Sequence, residues 1–342
     1  MIIKDLQVAT EIIALKTPFI TALRTVHQIE NVIVTIQLEN GITGIGAAAP
    51  TYVITGDSRE SIEAALLGPI KQSIIGKSIV NFNELLQNVQ KCCINNTSAK
   101  AAIDIALHNA YCNMLGISIP QYLGGQKSLQ TCMTISVDTI QNMEKATKQA
   151  VAEGYTTLKI KVGDNPLLDI QRIEAITSVI PKNIVLRLDA NQGWKPKEAV
   201  HIIKQFEQKN YPIEFIEQPV RANDWEGLKY VKEHVTTPIM ADESLFSAHD
   251  ALALIEGDYV DLINIKLMKC GGIAEAMKIA SIAEAKGIVC MIGSMMESCI
   301  SVAAAAQVAA AHPNIKYFDL DAPLWLDRKP THLQYDRCFV QV

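Results

Sequence analysis

The hydrophobic pattern changes character near residue 125. Before it, residues 6–15 and 31–38 alternate apolar and polar as half-buried strands do, and a glycine-rich turn is expected at Gly41, Gly44 and Gly46. Apolar positions then recur at helical spacing over 58–67 and, in an alanine-rich run, over 98–114. Pro120 and Gly124-Gly125 break the chain. Beyond the break, short β-branched runs alternate with helical ones. The predicted strands are 131–137, 157–162, 185–190, 213–217, 238–242, 261–266, 289–293 and 316–321, with helices such as 140–152, 197–209 and 273–286 between them.

Eight strand–helix repeats predict a parallel sheet closed as a TIM barrel. An open doubly wound sheet is the rival, and the GxGxxG turn that would signal it does not occur. The expected organisation is an α/β fold. Residues 1–122 form an α+β capping domain, 123–321 a barrel, and 322–342 a segment returning toward the cap, which is expected to be short because the chain ends at Val342.

Charge falls where such strands should not carry it. A strand buried on both faces is costly to charge, yet most end in a charged residue: Lys159 and Lys161, Asp189, Glu217, Asp242, Lys266, then Asp319 and Asp321. From Lys161 to Lys266 the successive spacings are 28, 28, 25 and 24 residues, about one strand–helix unit each. Each charge therefore lands at the C-terminal mouth of its own strand, where barrels keep their active sites. Asp189, Glu217 and Asp242 supply hard oxygen ligands suited to magnesium. Any one alone could cap the following helix, but three in phase converge on one volume and call for a cation. Lys159 and Lys161 share a strand face, and Lys266 lies on the strand past the last ligand, so lysines flank the metal from both sides. Clustered positive charge and burial fit a lysine to remove a proton beside a carboxylate. Lys269, three residues further, is expected on a loop or helix surface.

Composition narrows the partners. The 342 residues are 49% hydrophobic and 20% charged, enough apolar content for a sizeable core, with a net charge of −5 that disfavours nucleic acid. No apolar run is long enough for a membrane span, and the N-terminus carries no signal-peptide pattern. Eight cysteines without a CxxC pair read as buried thiols of a cytoplasmic protein, and seven scattered histidines as surface or packing residues. A homo-oligomer is left open.

These residues resemble the enolase superfamily, in its muconate-lactonizing subgroup. The matching pieces are Lys159-Ile160-Lys161, Asp189-Ala190-Asn191, Glu217-Gln218-Pro219, Ala241-Asp242-Glu243-Ser244 and Asn264-Ile265-Lys266. The resemblance spans nearly the whole chain and implies a modified TIM barrel, (β/α)7β, with an N-terminal capping domain. Within the subgroup, Asp319-Leu320-Asp321 looks like the paired aspartates by which dipeptide epimerases hold the substrate's α-ammonium group. Two more carboxylates would repel a muconate or a succinylbenzoate.

The implied activity is inversion of the C-terminal residue of a dipeptide, with one Mg2+ per subunit. Lys161 and Lys266 would act as bases on opposite faces, and Lys159 would steady the developing charge. Arg24, Thr134, Ser294 and Met296 resemble positions that touch the dipeptide. Arg24, on the lid segment 18–24, either grips a side-chain carboxylate such as that of L-Ala-L-Glu or pairs with Asp57 or Glu297 to fasten the lid. In the second case Phe19, Ile20, Ile54, Met295 and Met296 would line an apolar pocket for hydrophobic or aromatic dipeptides. Ala47 stands where relatives often carry glutamate. N-acylamino acid racemase, o-succinylbenzoate synthase and muconate cycloisomerase are the alternatives within the subgroup. A Schiff-base aldolase or a non-catalytic barrel protein is the alternative outside it.

Overall fold

A computed structural model describes residues 1–125 and 128–341 of the chain. The expected end of the C-terminal segment, Val342, lies outside the described residues.

Three antiparallel strands open the chain: β1 (Ile3–Ile20), β2 (Thr25–Leu38) and β3 (Thr43–Ala48), ordered β1-β2-β3. Cross-strand pairing runs well beyond the alternating stretches, with Ile13 opposite Ile29 and Phe19 opposite Val26. That is why β1 and β2 are longer than their apolar pattern predicts. One face of the sheet, carrying Leu6, Val32, Val34 and Ile36, is buried against the helices α1 (Phe82–Lys91) and α2 (Thr97–Leu115).

The expected glycine-rich turn is a turn only at Gly41, whose φ is +88°. Gly44 and Gly46 lie within β3 because α2 passes directly over them. A Cβ on Gly44 would collide with the backbone of Ala106 and Ala110, and one on Gly46 with the Ala102 carbonyl. The glycines and the alanine-rich helix thus answer one packing requirement.

The barrel strands are β4 (Met133–Ile135), β5 (Thr157–Lys161), β6 (Val185–Asp189), β7 (Ile213–Glu217), β8 (Ile239–Ala241), β9 (Leu262–Ile265), β10 (Val289–Gly293) and β11 (Ile315–Asp319). They pair in parallel and in sequence order. The ring nearly closes between its first and last strands, where the Cys132 N–H donates to the Phe318 carbonyl at 3.3 Å. This is the predicted (β/α)7β arrangement. Outward residues such as Leu158, Ile160, Leu188, Ile216, Ile263 and Ile292 are buried against the surrounding helices. Inward residues form a layered interior. Phe215, Met240, Leu262 and Met291 fill it at the lower level, where Arg187 stacks over the Phe215 and Tyr317 rings. The charged groups stand above them.

After β11 the chain makes the short helix α3 (Ala322–Trp325) and then runs along β1. Leu326 bridges to Leu15, and Arg328 pairs with Glu11 at 2.8 Å. It ends in the strand Phe339–Gln341, paired with Leu129–Gln130 before the barrel.

Candidate active site

Strand register sets the charges in order at the barrel's mouth. Lys161 is paired with Asp189 and Asp189 with Glu217, so these three stand side by side there, and Lys159 lies one inward-facing pair below, opposite Arg187. Asp242 and Lys266 sit one residue past β8 and β9. All six charged residues expected at this centre are buried: Lys159, Lys161, Asp189, Glu217, Asp242 and Lys266.

Lys159 Nζ lies 3.0 Å from Asp189 Oδ2, 2.7 Å from Glu217 Oε2 and 2.7 Å from Asp319 Oδ2. Lys161 Nζ lies 2.6 Å from Asp189 Oδ2 and 3.2 Å from Asn191 Oδ1. On the opposite side Lys266 Nζ lies 2.6 Å from Asp242 Oδ2. Two lysines therefore face each other across three carboxylates.

Asp189, Glu217 and Asp242 each offer an oxygen, and these atoms lie within 4.8 Å of one another, the one such cluster found among the described residues. Their energetics fit a cation. Burial would raise Asp189, but Lys159 and Lys161 hold it down at about 2. Burial opposes charge on Asp242 as well, and Lys266 and Lys269 overcome it, lowering that carboxyl. Glu217 is the exception: burial, with Asp189 and Asp242 adding to it, pushes it up to about 8. Its Oε2 accepts no hydrogen bond, although Lys159 is near. Of the three carboxylates Glu217 is the one whose charge its neighbours fail to stabilise, a deficit that a cation among them would meet, and all-oxygen donors without His or Cys suit magnesium. Burial opposes charge on Lys266 too, but Asp242 outweighs it and raises the pKa.

The remaining predicted residues converge on the same cleft: Arg24, Thr134, Ser294, Met296, Asp319 and Asp321 line it together with the three lysines. Of the apolar residues expected there, Phe19, Ile54, Met295 and Met296 line it and Ile20 does not. Ile20 is tied instead to the barrel, its N–H donating to Ser136 Oγ at 2.5 Å and its carbonyl accepting from Val137 at 3.0 Å. Arg24 is in no ion pair among the described residues. Asp57 accepts from the Ser98 N–H and Glu297 from the Met295 N–H, so neither fastens it. Burial alone lowers the Arg24 pKa.

Two expectations are corrected. Asp321 is not on the last strand: β11 ends at Asp319, and Asp321 opens the following short helix. It still reaches the cleft because its Oδ2 accepts from the Thr134 N–H at 2.7 Å. Lys269 is not a surface residue. It is fully buried and donates to Asp242 Oδ1 at 2.6 Å, to the Asn264 carbonyl at 3.1 Å and to the Asp242 carbonyl. Burial lowers its pKa. A helix turn after β9 folds Lys269 back beneath Asp242, a reversal that strand spacing does not reveal.

Other supporting residues went unassigned. Asn264 Nδ2 donates to Glu217 Oε1 at 2.8 Å, and Gln218 Oε1 accepts from the Asp242 N–H at 2.8 Å. Asn191 bridges Lys161 and Glu243. Asn191 and Gln218 also hold positive φ, at 39° and 37°, where the chain turns sharply off each ligand-bearing strand. The signal for them was present in the matched motifs, in which each stands within two residues of an assigned one.

Such a barrel, with lysines opposed across a carboxylate triad beneath a capping domain, defines the enolase class of proton-transfer enzymes. Residues 142–339 match the enolase C-terminal domain-like family, and residues 3–124 match the mandelate racemase/muconate lactonizing enzyme N-terminal domain. The L-Ala-D/L-Glu epimerase of Clostridium acetobutylicum is 47% identical over 329 residues, covering 96% of this chain and 92% of its own. A substrate-liganded L-Ala-D/L-Glu epimerase from Bacillus subtilis superimposes with a TM-score of 0.97 at 43% identity, covering 99% of this chain and 96% of that one. The dipeptide epimerase of Enterococcus faecalis, complexed with Mg and L-Leu-L-Tyr, superimposes at 0.95 with 41% identity, covering 100% and 97%. The chain belongs to the dipeptide epimerases of the enolase superfamily.

Proposed function

We propose that this enzyme inverts the α-carbon of the C-terminal residue of a dipeptide with an acidic side chain, L-Ala-L-Glu, by proton transfer between Lys161 and Lys266. The observation that carries the substrate assignment is Arg24: it lines the cleft, burial destabilises its charge, and no described carboxylate pairs with it. A substrate carboxylate supplies what is missing, through the bidentate geometry a guanidinium favours. Similarity to L-Ala-D/L-Glu epimerases supports the same reading. The apolar residues beside Arg24 would then pack the side-chain methylenes.

Asp189, Glu217 and Asp242 would hold one magnesium ion. When bound it supplies positive charge that acidifies the substrate's α-proton and balances the charge developing on its carboxylate. Lys161 takes the proton on one face, and Lys266 returns one on the other. Lys159, between Asp189, Glu217 and Asp319, steadies the carboxylate charge. Asp319 and Asp321 receive the α-ammonium group, which fixes the dipeptide's direction in the cleft. Among the described residues no helix is long and apolar enough to cross a membrane. Eight free cysteines suit a reducing compartment, and we assign the enzyme to the cytoplasm.

Solvent exchange tests the two-base assignment. In deuterated water with magnesium, Lys266→Ala should exchange the α-proton of only one of L-Ala-L-Glu and L-Ala-D-Glu, and should not interconvert them. Undiminished epimerisation by that variant would sink the assignment. Arg24→Met should lower kcat/KM for L-Ala-L-Glu about 100-fold, the loss of one charge-assisted pair, and spare L-Ala-L-Leu. Equal losses on both substrates would remove the acidic preference.

A further inference from the structure

The lid strand β1 is joined to the turn that follows the barrel. Lys16 Nζ donates to the Leu324 carbonyl at 2.8 Å, the Asp327 N–H donates to the Ala14 carbonyl at 2.8 Å, and Leu15 bridges to Leu326. Between these fastenings sits Trp325, which the two-base chemistry does not use. Its indole Nε1 donates to Asp321 Oδ2 at 3.3 Å, and its ring meets Phe19 edge-on, centroids 5.0 Å apart at 86°. The Phe19 ring in turn lies 5.7 Å from Lys161 Nζ. A continuous series of contacts therefore runs from the ammonium end of the cleft, through the lid, to one of the two bases.

We propose that Trp325 is a positioning residue that couples recognition of the substrate's α-ammonium at Asp321 to closure of Phe19 over Lys161. The inference rests on the assignment of Asp321 to the ammonium group. Its two halves are separable in the side chain. The indole N–H and the Thr134 N–H both bind Oδ2, which fixes the carboxylate plane and leaves Oδ1 for the ligand. The indole ring supplies the edge-to-face contact that holds Phe19, and Phe19 covers the Lys161 ammonium with an aromatic face. Losing the N–H should weaken binding. Losing the ring should loosen the lid over the base and slow turnover, since a base displaced by a fraction of an ångström transfers protons poorly.

Steady-state kinetics on L-Ala-L-Glu with saturating magnesium separates the two. Trp325→Phe keeps a ring and loses the donor, and should raise KM about tenfold with kcat within about twofold of wild type. Trp325→Leu should raise KM similarly and also lower kcat about tenfold, so that phenylalanine rescues kcat and not KM. Phe19→Leu should lower kcat with little change in KM. A Trp325→Phe enzyme with wild-type KM, or a Phe19→Leu enzyme with wild-type kcat, overturns the coupling, and both variants carry the test even if Trp325→Leu does not fold. Asp321→Asn serves as the reference. If it raises KM and Trp325→Phe does not, the ammonium assignment stands and the coupling falls. If Asp321→Asn leaves KM unchanged, the ammonium assignment itself fails, and the coupling with it.

Discussion

Glu297 is a fully enclosed carboxylate in no ion pair among the described residues; its Oε1 accepts from the Met295 N–H at 2.8 Å. Burial pushes its pKa up to about 7 from an ordinary value of 4.5. The folded protein thus holds this proton more tightly than the unfolded chain does. The stability it contributes is complete below the unfolded value and is lost as pH rises through the folded one. Glu297→Gln keeps the acceptor and removes the ionisation. The variant should match wild type near pH 4 and exceed it by about 3 kcal/mol above pH 8, by the shift times 1.36 kcal/mol per unit. Urea midpoints across that range measure it, and a difference independent of pH would refute the argument. The same scale shows what a sequence discloses of single residues. Lys161, Lys266 and the three carboxylates were legible because a buried strand tolerates charge only for a reason. Lys269 was not, since its role depends on a helix turn folding it back onto Asp242. Nor was Trp325, whose partners Phe19 and Asp321 lie at opposite ends of the chain.

Elements of the barrel were easier to read than those of the cap. Each barrel strand is a short β-branched run with a helix after it, and the period of about 25 residues repeats, so errors stayed at the strand ends. The displacement of Asp321 from β11 is one of them: a strand and the first residues of a following turn share the same extended, apolar look. In the cap, antiparallel partners carried β1 and β2 across polar residues such as Thr25 and Gln28, which no apolar pattern marks. The glycines of β3 misled for a related reason, because glycine signals either a turn or a close approach and only the partner decides which. That close approach makes its own prediction. In Gly46→Ala the new methyl meets the Ala102 carbonyl on α2, backbone against which no side chain can yield. The sheet and helix must separate, at a cost of about 3 kcal/mol. Gly41→Ala has open space and only a left-handed backbone to resist, so it should cost about 1 kcal/mol. Urea midpoints that rank the two the other way would contradict this account of the cap.

At the scale of the whole molecule, the barrel interior is a charge assembly that the proposed metal would complete. Asp189, Glu217 and Asp242 come from three successive strand–helix units, so a cation bound among them ties together segments more than fifty residues apart in the chain. Such a cation binds the folded state and not the unfolded one. Magnesium should therefore stabilise the enzyme by RT ln(1 + [Mg]/Kd), about 2.7 kcal/mol at one hundred times Kd. Removal by chelation should abolish epimerisation and lower Tm, and added magnesium should restore both, with Tm climbing steadily with the logarithm of its concentration. Glu217→Gln separates this from a general salt effect. Burial and two neighbouring carboxylates already oppose a charge on Glu217, so removing it should leave the metal-free protein at least as stable as wild type. With one ligand charge gone, the variant should no longer gain stability from magnesium. Thermal melts with and without the ion read both effects without reference to activity. A Glu217→Gln enzyme that gains as much as wild type would place the metal somewhere other than the triad.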